Sequence, residues 1–455
     1  MYVKQLYTNC LAQAAYYVES DGEALVIDPL RDPTPYLQLA KERNAKIRYI
    51  FETHFHADFV SGHIDLSKKT GAVIVFGPGA KPKYEALTAF DGEKFSIGKI
   101  KIKVLHTPGH TLESSCFLLY DENNKPQCIF TGDTLFAGDV GRPDLLSGNM
   151  DKVKLAGMLY DSLNKKIKTL PDDVVVYPGH GPGSACGKNI SSETVSTIGE
   201  QKRKNYALQC NTKDEFISVV TFGLDVAPAY FFKDALININ GYGNYEELMR
   251  RYLISLTPQA FLQKINEGAT ILDTRHPDVF EKGFIKNSIN IGLNGDLAVW
   301  TGTLIEFNSP LVLITEVDAE RETVSRLMRI GYDNILGFLR GGIKAWNDTS
   351  LIETISSVDY LEFSNSHDNF VLLDVRNTSE YNQLKFNNSI NIPLNILASR
   401  LQQLDKNKTI LVCCAGGYRS MIAASILKKS GFTKVLNVKG GVNAYKEKLL
   451  QRQAG

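Results

Sequence analysis

The stretch Phe51-Glu-Thr-His54-Phe-His56-Ala-Asp58-Phe59-Val-Ser-Gly-His63 decides how the first half of the chain folds. An apolar run from Ile47 to Phe51 predicts a strand leading into it, and residues 64–70 predict a helix following it. His54, His56 and Asp58 then lie on a strand-to-helix loop, where a rigid scaffold can aim several side chains at one point. Imidazole and carboxylate converging on one loop suit a borderline metal such as zinc or iron. Three more turns carry the same residue types: His106-Thr-Pro-Gly-His110-Thr, Thr131-Gly-Asp133-Thr and Tyr177-Pro-Gly-His180-Gly.

Around these turns the pattern is one of short strands. Leu11 to Asp28 reads as a hairpin with its turn at Ser20-Asp21-Gly22, and 35–43 has a helical period. Strands are expected at 72–76, 100–105, 117–120, 128–131 and 174–177, and helices at 151–168 and 191–209. This mixture suits a layered αββα sandwich with its ligand loops on one edge. Thr212 to Glu247, rich in Phe, Tyr, Gly and Asn, reads as the tail of the first domain leading into a connector.

Beyond it the chain repeats itself. Ile271-Leu-Asp273-Thr-Arg275 and Asn287-Ser-Ile-Asn-Ile-Gly match Leu372-Leu-Asp374-Val-Arg376 and Asn388-Ser-Ile-Asn-Ile-Pro. Gly341-Gly-Ile-Lys-Ala-Trp346 matches Gly440-Gly-Val-Asn-Ala-Tyr445. A repeat about 100 residues long means two copies of one domain, each alternating apolar strands with helices as a parallel α/β sheet does. The expected division is 1–245, 250–350 and 355–455, consistent with a 455-residue chain too long for one core.

A net charge of +1 gives a nucleic-acid or membrane partner no bulk electrostatic support. The chain starts with strand-like residues and has no apolar run long enough to span a bilayer, so the expected location is the cytoplasm. Seven scattered cysteines without a C-x-x-C pair read as free thiols.

The four ligand-bearing turns together resemble the metallo-β-lactamase superfamily. In its binuclear form the first loop reads His-x-His-x-Asp-His, and here Phe59 stands at the last position. A second ion on Asp58, His180 and a shared Asp133 would be weak, so Phe59 argues for one metal. The resemblance narrows to persulfide dioxygenases, relatives of the glyoxalase II thioester hydrolases. It implies one Fe(II) per chain on His54, His110 and Asp133, with positions open for dioxygen and a substrate sulfur. It leaves His56, Asp58 and His180 near the metal, to orient ligands or move protons. Arg142 and Asp144 are expected to hold the loop beneath the metal, with contact to a thiol cofactor as the alternative. Cys186 falls close enough after His180 to carry a persulfide, although a passive thiol is the plainer reading. His63, His276 and His367 read as structural, and His106 as a turn stabiliser.

The repeated domains resemble rhodaneses. In the second copy Cys413-Cys414-Ala-Gly-Gly-Tyr-Arg419-Ser420 follows a short strand and precedes a helix. Backbone N–H groups of a tight loop and a helix N-terminus stabilise a thiolate or persulfide at its centre. Cys414 is the nucleophile by its distance to Arg419, Arg419 closes the loop and attracts sulfite, and Cys413 points into the core. The first copy has Ile314-Thr-Glu316-Val-Asp318-Ala-Glu320 instead, without cysteine, and is expected to be catalytically dead.

The resemblance thus implies an iron persulfide dioxygenase fused to a rhodanese-type sulfurtransferase. It would oxidise a low-molecular-weight thiol persulfide with dioxygen to sulfite, and Cys414 would pass sulfane sulfur to sulfite to give thiosulfate. A dead middle domain suggests an assembly surface and a homo-oligomer. The competing readings are a zinc thioester hydrolase with an appended sulfurtransferase, and a non-catalytic sulfur-relay scaffold.

Overall fold

A computed structural model of the chain describes residues 1–145, 151–224, 227–366 and 369–454; His367 lies outside them. By their contacts the described residues form two units, Met1–Leu248 with Met328–Gly331, and Met249–Leu327 with Tyr332–Gly455.

The first unit holds two six-stranded sheets. One joins β1 (Tyr2–Thr8), β2 (Gln13–Ser20), β3 (Glu23–Ile27), β4 (Lys46–Glu52), β5 (Val73–Phe76) and β6 (Leu87–Thr88) side by side in chain order. The other joins β7 (Lys94–Ile97), β8 (Ile100–His106), β9 (Ser115–Tyr120), β10 (Pro126–Gly132), β11 (Val175–Pro178) and β12 (Ser196–Thr197) in the same way. Strand β2 shows what holds them together. Ala14, Tyr16 and Val18 face the second sheet, whereas Ala15 and Tyr17 face a helical layer, the two-residue period of a strand buried on both sides. Helices Thr34–Glu42 and His63–Thr70 cover the first sheet through Tyr36, Leu39 and Leu66. Helices Lys152–Ser162 and Lys213–Thr221 cover the second through Leu159 and Phe216. The αββα sandwich expected from the sequence is therefore the fold.

One expectation needs correction. The helix expected over 191–209 is only Ile198–Lys204. The Thr197 side chain caps its start at Glu200 N, and Asn205 leaves the helix in extended conformation to hydrogen-bond the Phe136 and Asp139 carbonyls. Residues 212–247 belong to the first unit. They form helices Lys213–Thr221 and Phe231–Asn240 and the start of Tyr245–Tyr252, and the second of these reaches the His56 loop.

The second unit contains two five-stranded parallel sheets. The first copy orders β13 (Ser255–Leu256), β14 (Thr270–Asp273), β16 (Ile289–Asn290), β17 (Leu311–Ile314) and β18 (Ile335–Leu339) as β13-β18-β17-β14-β16, while β15 (Phe284–Ile285) pairs with β19 (Ile352–Glu353). The second orders β20 (Ser356–Val358), β21 (Phe370–Asp374), β22 (Ser389–Asn391), β23 (Thr409–Cys413) and β24 (Val435–Val438) as β20-β24-β23-β21-β22. The sequence repeat becomes a repeated lock. Arg275 pairs with Asp273 and Arg376 with Asp374, and Asn290 and Asn391 each donate to the carbonyls of that Asp and that Arg at 2.8–3.0 Å. Among the described residues no helix is long and apolar enough to cross a membrane.

Candidate functional site

Strands β4, β8, β10 and β11 end at one edge of the sandwich, and the loops leaving them bring His54, His110, Asp133 and His180 together. Their close approach depends on small residues. Gly132 has φ +49°, and a β-carbon there would meet Thr53 Oγ1 at 2.5 Å; one at Gly179 would meet Asp133 Oδ1 at 2.8 Å.

His54, His110 and Asp133, all buried, offer donor atoms within 4.8 Å of one another. His110 Nε2 lies 3.5 Å and His54 Nε2 4.0 Å from Asp133 Oδ2. Their other ring nitrogens are committed. His110 Nδ1–H donates to the Arg142 carbonyl at 2.9 Å. His54 Nδ1–H donates to Thr53 Oγ1 at 2.9 Å, because the Thr53 hydroxyl proton is already given to Asp28 Oδ2. Both rings thus turn an Nε2 lone pair toward Asp133, as metal-binding histidines do. Burial, then the neighbouring His56, His110 and His180, hold the His54 pKa well below its usual value, so it is a neutral ring. Neither Asp133 carboxylate oxygen has a hydrogen-bond partner among the described residues, and His180 Nε2 has none either. Buried and unpaired, such atoms cost about 1–3 kcal/mol each; a cation at this point satisfies them, so the residues fit a metal.

His56 is different. Burial opposes its charge, but the Asp28 and Glu52 carboxylates, 3.1 and 3.3 Å from its Nε2, outweigh that and raise its pKa well above the usual value. It is an imidazolium held between two acids. The Phe59 ring stacks on it with centroids 4.3 Å apart, filling the place of the absent histidine. Asp58 lies with His180 (3.4 Å) and Cys186 in a second buried group of possible donors. Burial and the Asp58 and Asp133 carboxylates push the Cys186 thiol well above its ordinary value, so it stays protonated. Arg142 pairs with Asp144 at 2.7 Å while its carbonyl holds His110. His63 Nδ1–H donates to the Glu52 carboxylate at 3.0 Å, and His106 Nε2–H donates to the Leu112 carbonyl at 2.9 Å across its turn.

In the second unit Cys414 directly follows β23 and its Sγ accepts the Gly417 N–H at 3.1 Å, with the Ser420 hydroxyl 3.4 Å away. Cys413 is buried in the core. Both terminal nitrogens of Arg419 pair with Glu380 at 2.7 Å. The Glu380 carboxylate thus competes with any incoming anion for Arg419. The corresponding loop of the first copy, between β17 and the helix Glu320–Met328, carries Glu316 and Asp318 and no thiol.

Residues 8–180 match the metallo-beta-lactamase superfamily, and 257–349 and 357–448 the rhodanese-like domain. The mitochondrial persulfide dioxygenase ETHE1 of Homo sapiens is 30% identical over 206 residues, 44% of this chain and 71% of that protein. The chain belongs to the metallo-beta-lactamase superfamily. Behind this ETHE1-like domain it carries two rhodanese-like domains. A probable hydroxyacylglutathione hydrolase, glo2 of Schizosaccharomyces pombe, is 34% identical over 36% of this chain, which spans only 62% of that protein. A crystal structure of a metallo-beta-lactamase from Staphylococcus aureus subsp. aureus COL is 32% identical, covering 75% of this chain and 99% of that one, with a TM-score of 0.67.

Several residues that build the superfamily site here were not singled out from the sequence. Asp28 directly follows one apolar strand and Glu52 ends another, a signal available in the pattern. Asn238 gave none: from a distant helix it donates to the His56 and Phe59 carbonyls at 2.8 and 2.7 Å and accepts Ser61 N–H.

Proposed function

We propose that the chain is a mononuclear iron persulfide dioxygenase coupled to a thiosulfate-forming sulfurtransferase. The observation that carries this reading is the state of His56 and Phe59. A charged imidazole clamped by Asp28 and Glu52 does not ligate, and the stacked phenyl ring removes another ligand. His54, His110 and Asp133 then form a group of two imidazoles and one carboxylate, a donor set suited to a non-haem iron. His54, His110 and Asp133 would hold Fe(II), which when bound supplies the redox chemistry for persulfide and dioxygen. The overall balance is RSSH + O2 + H2O giving RSH, sulfite and two protons. Thr53, Asp28 and the Arg142 carbonyl keep the two imidazoles oriented.

In the second half-reaction the Cys414 thiolate attacks the outer sulfur of a persulfide and RS− leaves. Sulfite then attacks the outer sulfur of the Cys414 persulfide, giving thiosulfate and restoring the thiolate. The Gly417 N–H and the start of helix Tyr418–Lys429 stabilise the anion at each stage.

A second reading has one observation in its favour. Asp58, His180 and Cys186 are gathered and buried beside Asp133, so a second cation there would convert the site into a binuclear thioester hydrolase. Oxygen uptake with a glutathione persulfide, measured beside hydrolysis of a glutathione thioester, separates the two. One O2 consumed per persulfide with no thioester cleavage is expected; thioester cleavage without oxygen uptake overturns the dioxygenase reading.

A further inference from the structure

The two rhodanese-like copies meet where the active loop of the second becomes a helix. β16 is the edge strand of the first copy, and edges expose unpaired N–H groups. Ser425, on helix Tyr418–Lys429 of the second copy, accepts the Asn290 N–H of that edge at 3.0 Å. Tyr418, the first residue of the same helix, donates its phenolic hydroxyl to the Gly292 carbonyl at 2.8 Å. Its ring lies in a seat that only glycine leaves open. A β-carbon at Gly295 would come within 2.4 Å of two ring atoms, and one at Gly292 within 3.3 Å. The repeat itself diverges here, since Gly292 corresponds to Pro393 of the second copy.

Tyr418 directly follows Gly417, whose N–H meets the Cys414 sulfur. Gly417 has φ +111°, and neither it nor Gly416 has any atom within 4 Å of where a β-carbon would stand. Side-chain packing therefore does not hold these two glycines, and their freedom makes them easy to displace. Gly416, Gly417 and Tyr418 also line a cavity of about 420 Å3, together with His276, Pro277 and Lys282 of the first copy.

We propose that the first rhodanese-like copy, lacking a nucleophile, is the positioning half of the second copy's site, with Tyr418 as the positioning residue. The Gly292–Gly295 seat fixes the ring, the ring fixes Gly417, and Gly417 keeps its N–H on the sulfur. The inference rests on the sulfurtransferase reading of Cys414.

The test uses the full-length chain with two readouts. One is alkylation of Cys414 by iodoacetamide, followed on its own peptide by mass spectrometry. The other is thiosulfate formation from a persulfide and sulfite. Gly295→Val and Tyr418→Ala should each slow alkylation about fivefold and lower kcat about tenfold, with KM for sulfite changed less than about twofold. The double variant should be no slower than either single one, because both remove the same tether. Tyr418→Phe keeps the ring and loses only the hydrogen bond, so it serves if Gly295→Val does not fold; a loss of about twofold in alkylation is expected. Wild-type alkylation and kcat in Tyr418→Ala would overturn the proposal, as would multiplying losses in the double variant. If the wild-type chain makes no thiosulfate yet alkylation still slows in Gly295→Val, the transferase reading fails and the positioning role stands.

Discussion

His54 and His56 lie two residues apart on one loop and do opposite things. His54 is neutral, gives its Nδ1–H to Thr53 and aims Nε2 at Asp133. His56 is charged, clamped by Asp28 and Glu52 and covered by Phe59. The motif puts both imidazoles in the loop; the neighbours decide which is a ligand and which a fixed cation. Asp28 serves both, through the Thr53 hydroxyl on one side and directly on the other.

That contrast can be broken most severely at the ligands. His110→Ala should abolish metal retention and lower oxygen uptake by roughly 1,000-fold or more, whereas His56→Gln should retain metal, because only the first removes a donor. Equal metal loss in both variants would erase the distinction. Phe59→His should sharpen it from the other side, raising bound metal from one ion per chain toward two and weakening oxygen uptake; unchanged stoichiometry by elemental analysis would show that Phe59 is not what limits the site. Thr53→Val leaves His54 Nδ1 without its acceptor and should weaken metal affinity by about 10–100-fold in a chelator competition. Asn238→Ala strips partners from Ser61 N, His56 O and Phe59 O and should cost about 3 kcal/mol, a fall in Tm of roughly 6–12 °C.

The smallest effect belongs to the second unit. Hydrogen bonding to Arg419, more than burial opposes it, holds the Glu380 carboxyl below its usual range. A carboxylate with a depressed folded pKa contributes stability above its unfolded pKa of about 4.3 and loses it as pH falls through the folded value. Glu380→Gln should therefore flatten the acid limb of the unfolding curve by a few tenths of a kcal/mol, since the pair is partly exposed. An unchanged limb would show the pair is already broken.

The sequence made the layered fold and the four turns legible because each rests on a local pattern: period-two strands such as β2, and His or Asp beside Gly at strand ends. The two-copy repeat was legible for a related reason, since Asp-x-Arg and Asn form the same hydrogen-bonded lock twice. What stayed hidden depends on long-range approach. Nothing local in Asn238 or Glu380 says that one pins the His56 loop from 182 residues away and the other occupies Arg419. The helices within 212–247 stayed hidden because the aromatics and glycines there lack a clean helical stripe, yet Phe216 and Val220 pack into the core.

The most direct test is the metal content of the full chain purified without oxygen. One iron per chain, lost on His110→Ala and kept on His56→Gln, is the predicted result. Two zinc ions per chain, the second lost on Cys186→Ser, would contradict the account.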